Sequence, residues 1–156
     1  MTPIIAIDPG ASGGIAYMNE DGIVTAFPMP ETEGDVVDHI RMLIASGRGA
    51  VVVIEEVGGF IGGVGNTGSS MFKFGRGVGF LMGAIMMAGI PITDHPRPTT
   101  WQKHFTFGAK GELTTTEWKN KLKAEAQRRF PYLKVTLKTA DALLLLAWKM
   151  DKLERT

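Results

Sequence analysis

The chain has 156 residues, 44% hydrophobic and 21% charged, which suits a soluble globular protein built as a single domain over residues 1–156. No apolar run reaches the ~20 residues needed to span a bilayer, and Met1-Thr2-Pro3 leads straight into a strand pattern, which argues against a signal peptide and a membrane partner. Cysteine is absent, which excludes disulfides, thiolate zinc sites and a thiol nucleophile and suits a reducing compartment such as the cytoplasm.

The elements follow from the pattern. Residues 4–8 (Ile-Ile-Ala-Ile-Asp) are apolar without alternation, as in a strand buried on both faces. Asp8-Pro9-Gly10 and Ser12-Gly13-Gly14 are turn signals. Residues 14–18 and 23–27 read as two further strands joined at Asn19-Glu20-Asp21-Gly22, so residues 1–27 form an antiparallel meander. Val36, Val37, Ile40, Leu43 and Ile44 recur at helical spacing, and Gly47 closes that helix. Residues 50–55 form a fourth strand, parallel to the first because a helical crossover leads into it. A glycine-rich loop spans 58–68.

Residues 70–88 read as a second helix with Val78, Leu81, Met82 and Ile85 inward, and 92–95 as a fifth strand stopped by Pro96 and Pro98. Thr99 and Thr100 are candidate caps for a short helix to Phe105. Thr115 or Thr116 is expected to cap a helix to about Phe130, before Pro131. Residues 140–152 form the last helix. The fold class is α/β, with a three-stranded antiparallel meander and two parallel strands in one mixed five-stranded sheet flanked by helices.

Three acids stand where apolar runs meet a turn or a helix start: Asp8, Glu55 and Asp141. Carboxylates are rarely placed against a core unless paired or bound to a cation. Strand ends on one sheet edge and a helix N-terminus can bring all three together, and a divalent cation relieves the resulting repulsion. That points to a Mg²⁺ site and to phosphate chemistry. Charge supports a polyanionic partner. Residues 1–60 carry two basic against nine acidic side chains, and residues 61–138 carry twelve against four.

The ordered set Ile5-Ala6-Ile7-Asp8-Pro9-Gly10, Val53-Ile54-Glu55-Glu56-Val57 and Ala140-Asp141-Ala142-Leu143 resembles the RuvC family of Holliday-junction resolvases, which have the ribonuclease H-like fold. Lys73-Phe74-Gly75 and Pro98-Thr99-Thr100-Trp101-Gln102-Lys103 match in between, and the short chain with its Trp118-Lys119 helix resembles phage-encoded members. The resemblance implies a homodimeric endonuclease that nicks four-way DNA junctions in a bacterial cell or phage-infected host. It implies two Mg²⁺ ions, replaceable by Mn²⁺, roughly 4 Å apart, activating water and stabilising the leaving 3′ oxygen. Asp8 would bridge them, and Glu55 and Asp141 would each hold one.

Where the family commonly has an acid or His, three residues before the last Asp, this chain has Lys138. It would weaken one metal site, hold a phosphate oxygen, orient the attacking water, or simply be a solvated charge. Glu56 points to the opposite strand face from Glu55.

In such resolvases the loop matching residues 58–75 reaches into the junction, which makes Phe60 the candidate wedge, flanked by Lys73 and Arg76; of Phe72 and Phe74, at least one belongs to the core. Lys103, Lys110, Lys119, Lys121 and Lys123 are candidate phosphate contacts as a group, with Lys119 and Lys123 on one helix face. Trp101 and Trp118 read as core or interface anchors. Met82, Met86 and Met87 read as core or dimer interface, and His95 and His104 as structural.

Three rival readings weigh less. Gly63-Val64-Gly65-Asn66-Thr67-Gly68 has the dinucleotide spacing, but no acid follows about twenty residues on at a strand end. Asp8–Gly14 resembles the first phosphate loop of actin-like ATPases, which need a second lobe. A branched-DNA nuclease acting on forks, flaps or three-way junctions and a non-catalytic junction binder both remain open.

Overall fold

The computed structural model describes residues 1–45, 49–58, 68–106, 108 and 110–155. Its elements in chain order are β1 (Ile4–Asp8), β2 (Gly14–Met18), β3 (Val24–Pro28), α1 (Glu33–Ala45), β4 (Val51–Ile54), α2 (Gly68–Met87), β5 (Ile92–Asp94), α3 (Pro98–Gln102), α4 (Thr115–Arg129) and α5 (Ala140–Glu154). The sheet runs β3-β2-β1-β4-β5. β1–β2 and β2–β3 pair antiparallel, and β1–β4 and β4–β5 pair parallel, as the meander and the crossover predict.

Strand alternation divides the core in two. Ile4 and Ala6 of β1 and Val53 of β4 face one side, where α3, α4 and α5 supply Trp101, Trp118, Leu122 and Leu143–Leu146. Ile5 and Ile7, with Val52 and Ile54, face the other side, against Val36, Ile40 and Leu43 of α1 and Leu81 and Ile85 of α2. α5 is buried almost all round, so its apolar run needs no amphipathic stripe. Ile44 and Met82 are half-buried at the margin of the second core, and Val37 is half-buried on α1.

Two helix starts differ from the sequence reading. Thr114, not Thr115 or Thr116, caps α4: its Oγ1 accepts from the Glu117 N–H, and the Glu117 carboxylate accepts from the Thr114 N–H. This reciprocal pair satisfies two otherwise orphaned donors. α3 begins at Pro98, whose missing N–H costs nothing in a first turn; Arg97 takes the cap position, so Thr99 and Thr100 lie inside the helix. The predicted stop at Gly47 lies outside the described residues, as does most of the glycine-rich loop, including Phe60 and Gly63–Thr67.

α5 is also tied across the sheet edge. The ammonium groups of Lys149 and Lys152 both bond the Asp94 carboxylate of β5. Burial alone would raise the Asp94 pKa, but the two lysines outweigh it and hold the group below its usual range.

Candidate active site

The pleat decides where two of the three acids go. Asp8 follows Ile4 and Ala6 at period two, and Glu55 follows Val53, so both belong to the sheet face covered by α3–α5. The two strands are in parallel register, Ile7 opposite Ile54, and the Glu55 N–H donates to the Ile7 carbonyl at 2.9 Å. Both carboxylates therefore leave the sheet at one edge, the usual place for a ligand in an open α/β sheet. α5, packed on β1 and β2, brings Asp141 to the same side as its second residue.

The three are partly buried and electrostatically coupled. Asp8 is pushed up to about 8, chiefly by burial, then by the charges of Asp141 and Glu55. Glu55 is pushed up to about 7 by burial; a hydrogen bond from Trp101 opposes this and the Asp141 charge adds to it. Burial raises Asp141 as well, although a helix N-terminus favours an anion. One cation lowers all three: Lys119 of α4.

Glycine closes the loop around Asp8. A Cβ at Gly13 would stand 2.1 Å from the Asp8 carbonyl oxygen and 3.0 Å from its Cγ, so only a bare backbone fits. At Gly14 a Cβ would meet the Lys138 carbonyl oxygen at 2.5 Å. The segment entering α5 is thus pressed against the start of β2, with the Thr136–Thr139 turn fixing its path. The Lys138 side chain is exposed, and the charge felt by the three acids is that of Lys119.

Oxygen donors of this kind suit a hard divalent cation, and the upward shifts of Asp8 and Glu55 mark carboxyls whose charged form the protein by itself leaves largely uncompensated. Among the described residues, however, no group of three His, Asp or Glu side chains is gathered so as to hold a metal ion. The donor chemistry nonetheless fits such an ion.

The mixed sheet, its order and the helix placement match solved structures. RuvC from Thermus thermophilus in complex with a Holliday junction substrate aligns over 97% of this chain and 96% of its own, with a TM-score of 0.61 at 14% identity. A second Thermus thermophilus RuvC structure aligns over the same shares, with a TM-score of 0.59 at 16% identity. The fold is that of RuvC. No family model and no curated protein sequence matches the chain.

The remaining candidates lie around this RuvC-like core. Lys73 and Arg76 are exposed on the first half of α2, where Arg76 pairs with Glu33 at 2.7 Å. Phe72 beside them is 73% exposed, whereas Phe74 is partly buried against Gly10. Lys103 and Lys110 are exposed and line a cavity of about 370 Å³ with Thr99, Gln102 and Trp118. On α4, Lys121 is exposed and Lys123 partly buried one turn beyond Lys119.

Glu56 turns away and pairs with Arg97 at 3.2 Å. His104 bonds Asp151 at 2.6 Å, His95 is exposed, and Met86 and Met87 are exposed on α2.

Sequence reasoning missed two placements. It grouped Lys119 with the phosphate contacts and did not see that its charge also acts on the carboxylates. It read Trp101 as an anchor, whereas the buried indole also donates to Glu55. The buried Trp118 next to Lys119 was the available signal for how α4 is turned.

Proposed function

We propose that the chain is a divalent-cation-dependent endonuclease that nicks branched DNA, the four-way junction foremost. One observation carries this reading: Asp8, Glu55 and Asp141 are partly buried carboxylates, the Asp141 charge raises the other two, and among the described residues the ammonium that lowers all three is Lys119. The substrate class is supported by the RuvC fold and by the Holliday junction held by the Thermus protein.

In this reading Asp8, Glu55 and Asp141 hold Mg²⁺, with Mn²⁺ as a substitute. The bound cation supplies Lewis-acid chemistry, easing deprotonation of the attacking water and stabilising charge on the phosphate. Water adds to phosphorus, the bond to the 3′ oxygen breaks, and that oxygen takes up a proton. Lys119 limits the repulsion among the acids and offers a positive charge to the phosphate. Lys138 contacts a phosphate oxygen at the rim. Lys73, Arg76, Lys103, Lys110, Lys121 and Lys123 hold the DNA backbone, and a homodimer sets two such sites on a substrate of twofold character.

Lys138, standing where the family commonly has an acid or His, favours one second reading, a junction-binding protein without catalysis. The deciding experiment is cleavage of a labelled four-way junction, a fork and a linear duplex by wild type and Asp8→Asn, with and without Mg²⁺. Nicks in the junction that need Mg²⁺ and vanish in the variant are expected. Tight junction binding without cleavage in Mg²⁺ or Mn²⁺ would establish the binder instead, and equal cleavage of the fork would broaden the substrate class.

A further inference from the structure

We infer that Trp101 is a positioning residue of the cleavage reaction: its indole N–H fixes the carboxylate of Glu55 in the orientation used to hold the cation. The inference rests on the nuclease reading above.

Trp101 Nε1 donates to Glu55 Oε2 at 2.7 Å, a short hydrogen bond of the kind made to a charged acceptor. Trp101 is fully buried, so water does not compete for that bond. An indole N–H is a donor only, which leaves Glu55 one role in the pair, that of acceptor. Glu55 stands just past the last residue of β4, with a long, flexible side chain. Among the described residues its only side-chain hydrogen bond is the one to Trp101, which occupies Oε2 and leaves Oε1 for a ligand.

The indole itself is held firmly. It packs edge-on against Phe105 at 6.3 Å between ring centres. The segment carrying it starts at Pro98, and His104 just beyond the helix bonds Asp151 of α5. One rigid, buried donor thus sets the direction of a carboxylate 46 residues away in the chain. Partners that orient a ligating carboxylate are worth about 10–100-fold in metal affinity or activity.

A buried indole needs an acceptor whatever its role, so the test must separate orientation from packing. Two replacements do this: Trp101→Phe, and 3-benzothienylalanine at position 101, which keeps the two-ring shape and lacks the N–H. Free Mn²⁺ is titrated by electron spin resonance on the DNA-free protein. Junction binding is measured in EDTA, and single-turnover cleavage across a Mg²⁺ series.

The expected result is a rise of about 10–100-fold in half-saturating Mn²⁺, with slower cleavage and unchanged junction binding in EDTA. A folded benzothienylalanine protein that binds Mn²⁺ and cleaves like wild type would overturn the inference and leave the nuclease reading standing. Parallel loss of junction binding in EDTA would also overturn it, making Trp101 a packing residue. If Trp101→Phe fails to fold, the benzothienylalanine protein decides. Wild type that neither binds Mn²⁺ nor cleaves would instead remove the nuclease reading, and the inference with it.

Discussion

At the scale of single residues, Asp8 and Glu55 make folding without a cation depend on pH. In the fold they keep their protons up to about pH 8 and about pH 7, against ordinary values of 3.8 and 4.5. Between those limits the folded state binds more protons than the unfolded one. Stability in EDTA therefore falls as pH rises from about 4 to about 8. Asp8→Asn removes the largest part, and urea unfolding in EDTA at pH 8 is expected to find the variant more stable than wild type, the gap closing toward pH 4. Added Mg²⁺ at pH 8 should raise the melting temperature of wild type and leave that of the variant unmoved. Gly13 makes a second prediction. A methyl group there has nowhere to go except into the Asp8 backbone and carboxylate, so Gly13→Ala should destabilise by about 1–3 kcal/mol and depress cleavage beyond what that loss explains. Thermal unfolding and junction cleavage on the same sample would check both.

At the scale of elements, the cap of α4 matters because this helix delivers Lys119 to the acids. Thr114→Ala removes the Oγ1 bond to Glu117 and should cost ~1 kcal/mol in urea unfolding, with Thr114→Ser restoring most of it. The run Thr114-Thr115-Thr116 looks uniform, and helical periodicity does not choose among its members. The spacing Thr-x-x-Glu ending at Glu117 does choose, and it was legible. The strand ends that carry Asp8 and Glu55 were legible too, since an unbroken apolar run stopping at an acid marks both the strand and its exit. The pairing senses followed from the two turns of the meander and the helical crossovers before β4 and β5. What could not be read was contact across the fold. The Trp101–Glu55 bond depends on where α3 settles over β4, which no local pattern encodes; the turn of α4 that places Lys119 had only the neighbouring Trp118 as a signal.

At the scale of the whole molecule, charge is divided between a site with excess negative charge and lysines spread around it. This predicts two separable salt responses. Junction affinity should fall steeply with ionic strength, and Lys103→Ala or Lys110→Ala should each reduce the log–log slope by about 1. Cation affinity in the absence of DNA should stay unchanged in both variants, since neither lysine shifts any of the three acids. Fluorescence anisotropy over a salt series and a Mn²⁺ titration would show it. Among the described residues no helix is long and apolar enough to cross a membrane.

α5 has a consequence in time as well as in space. The ribosome makes Asp8 early and Asp141 only after residues 9–140, on a helix that is itself the wall of one core. A nascent chain that has completed its strands lacks both that wall and the third acid. The proposed cutting site is therefore assembled last, by the same event that completes the fold, so a stalled or truncated translation product would carry no active nuclease into a cell full of DNA.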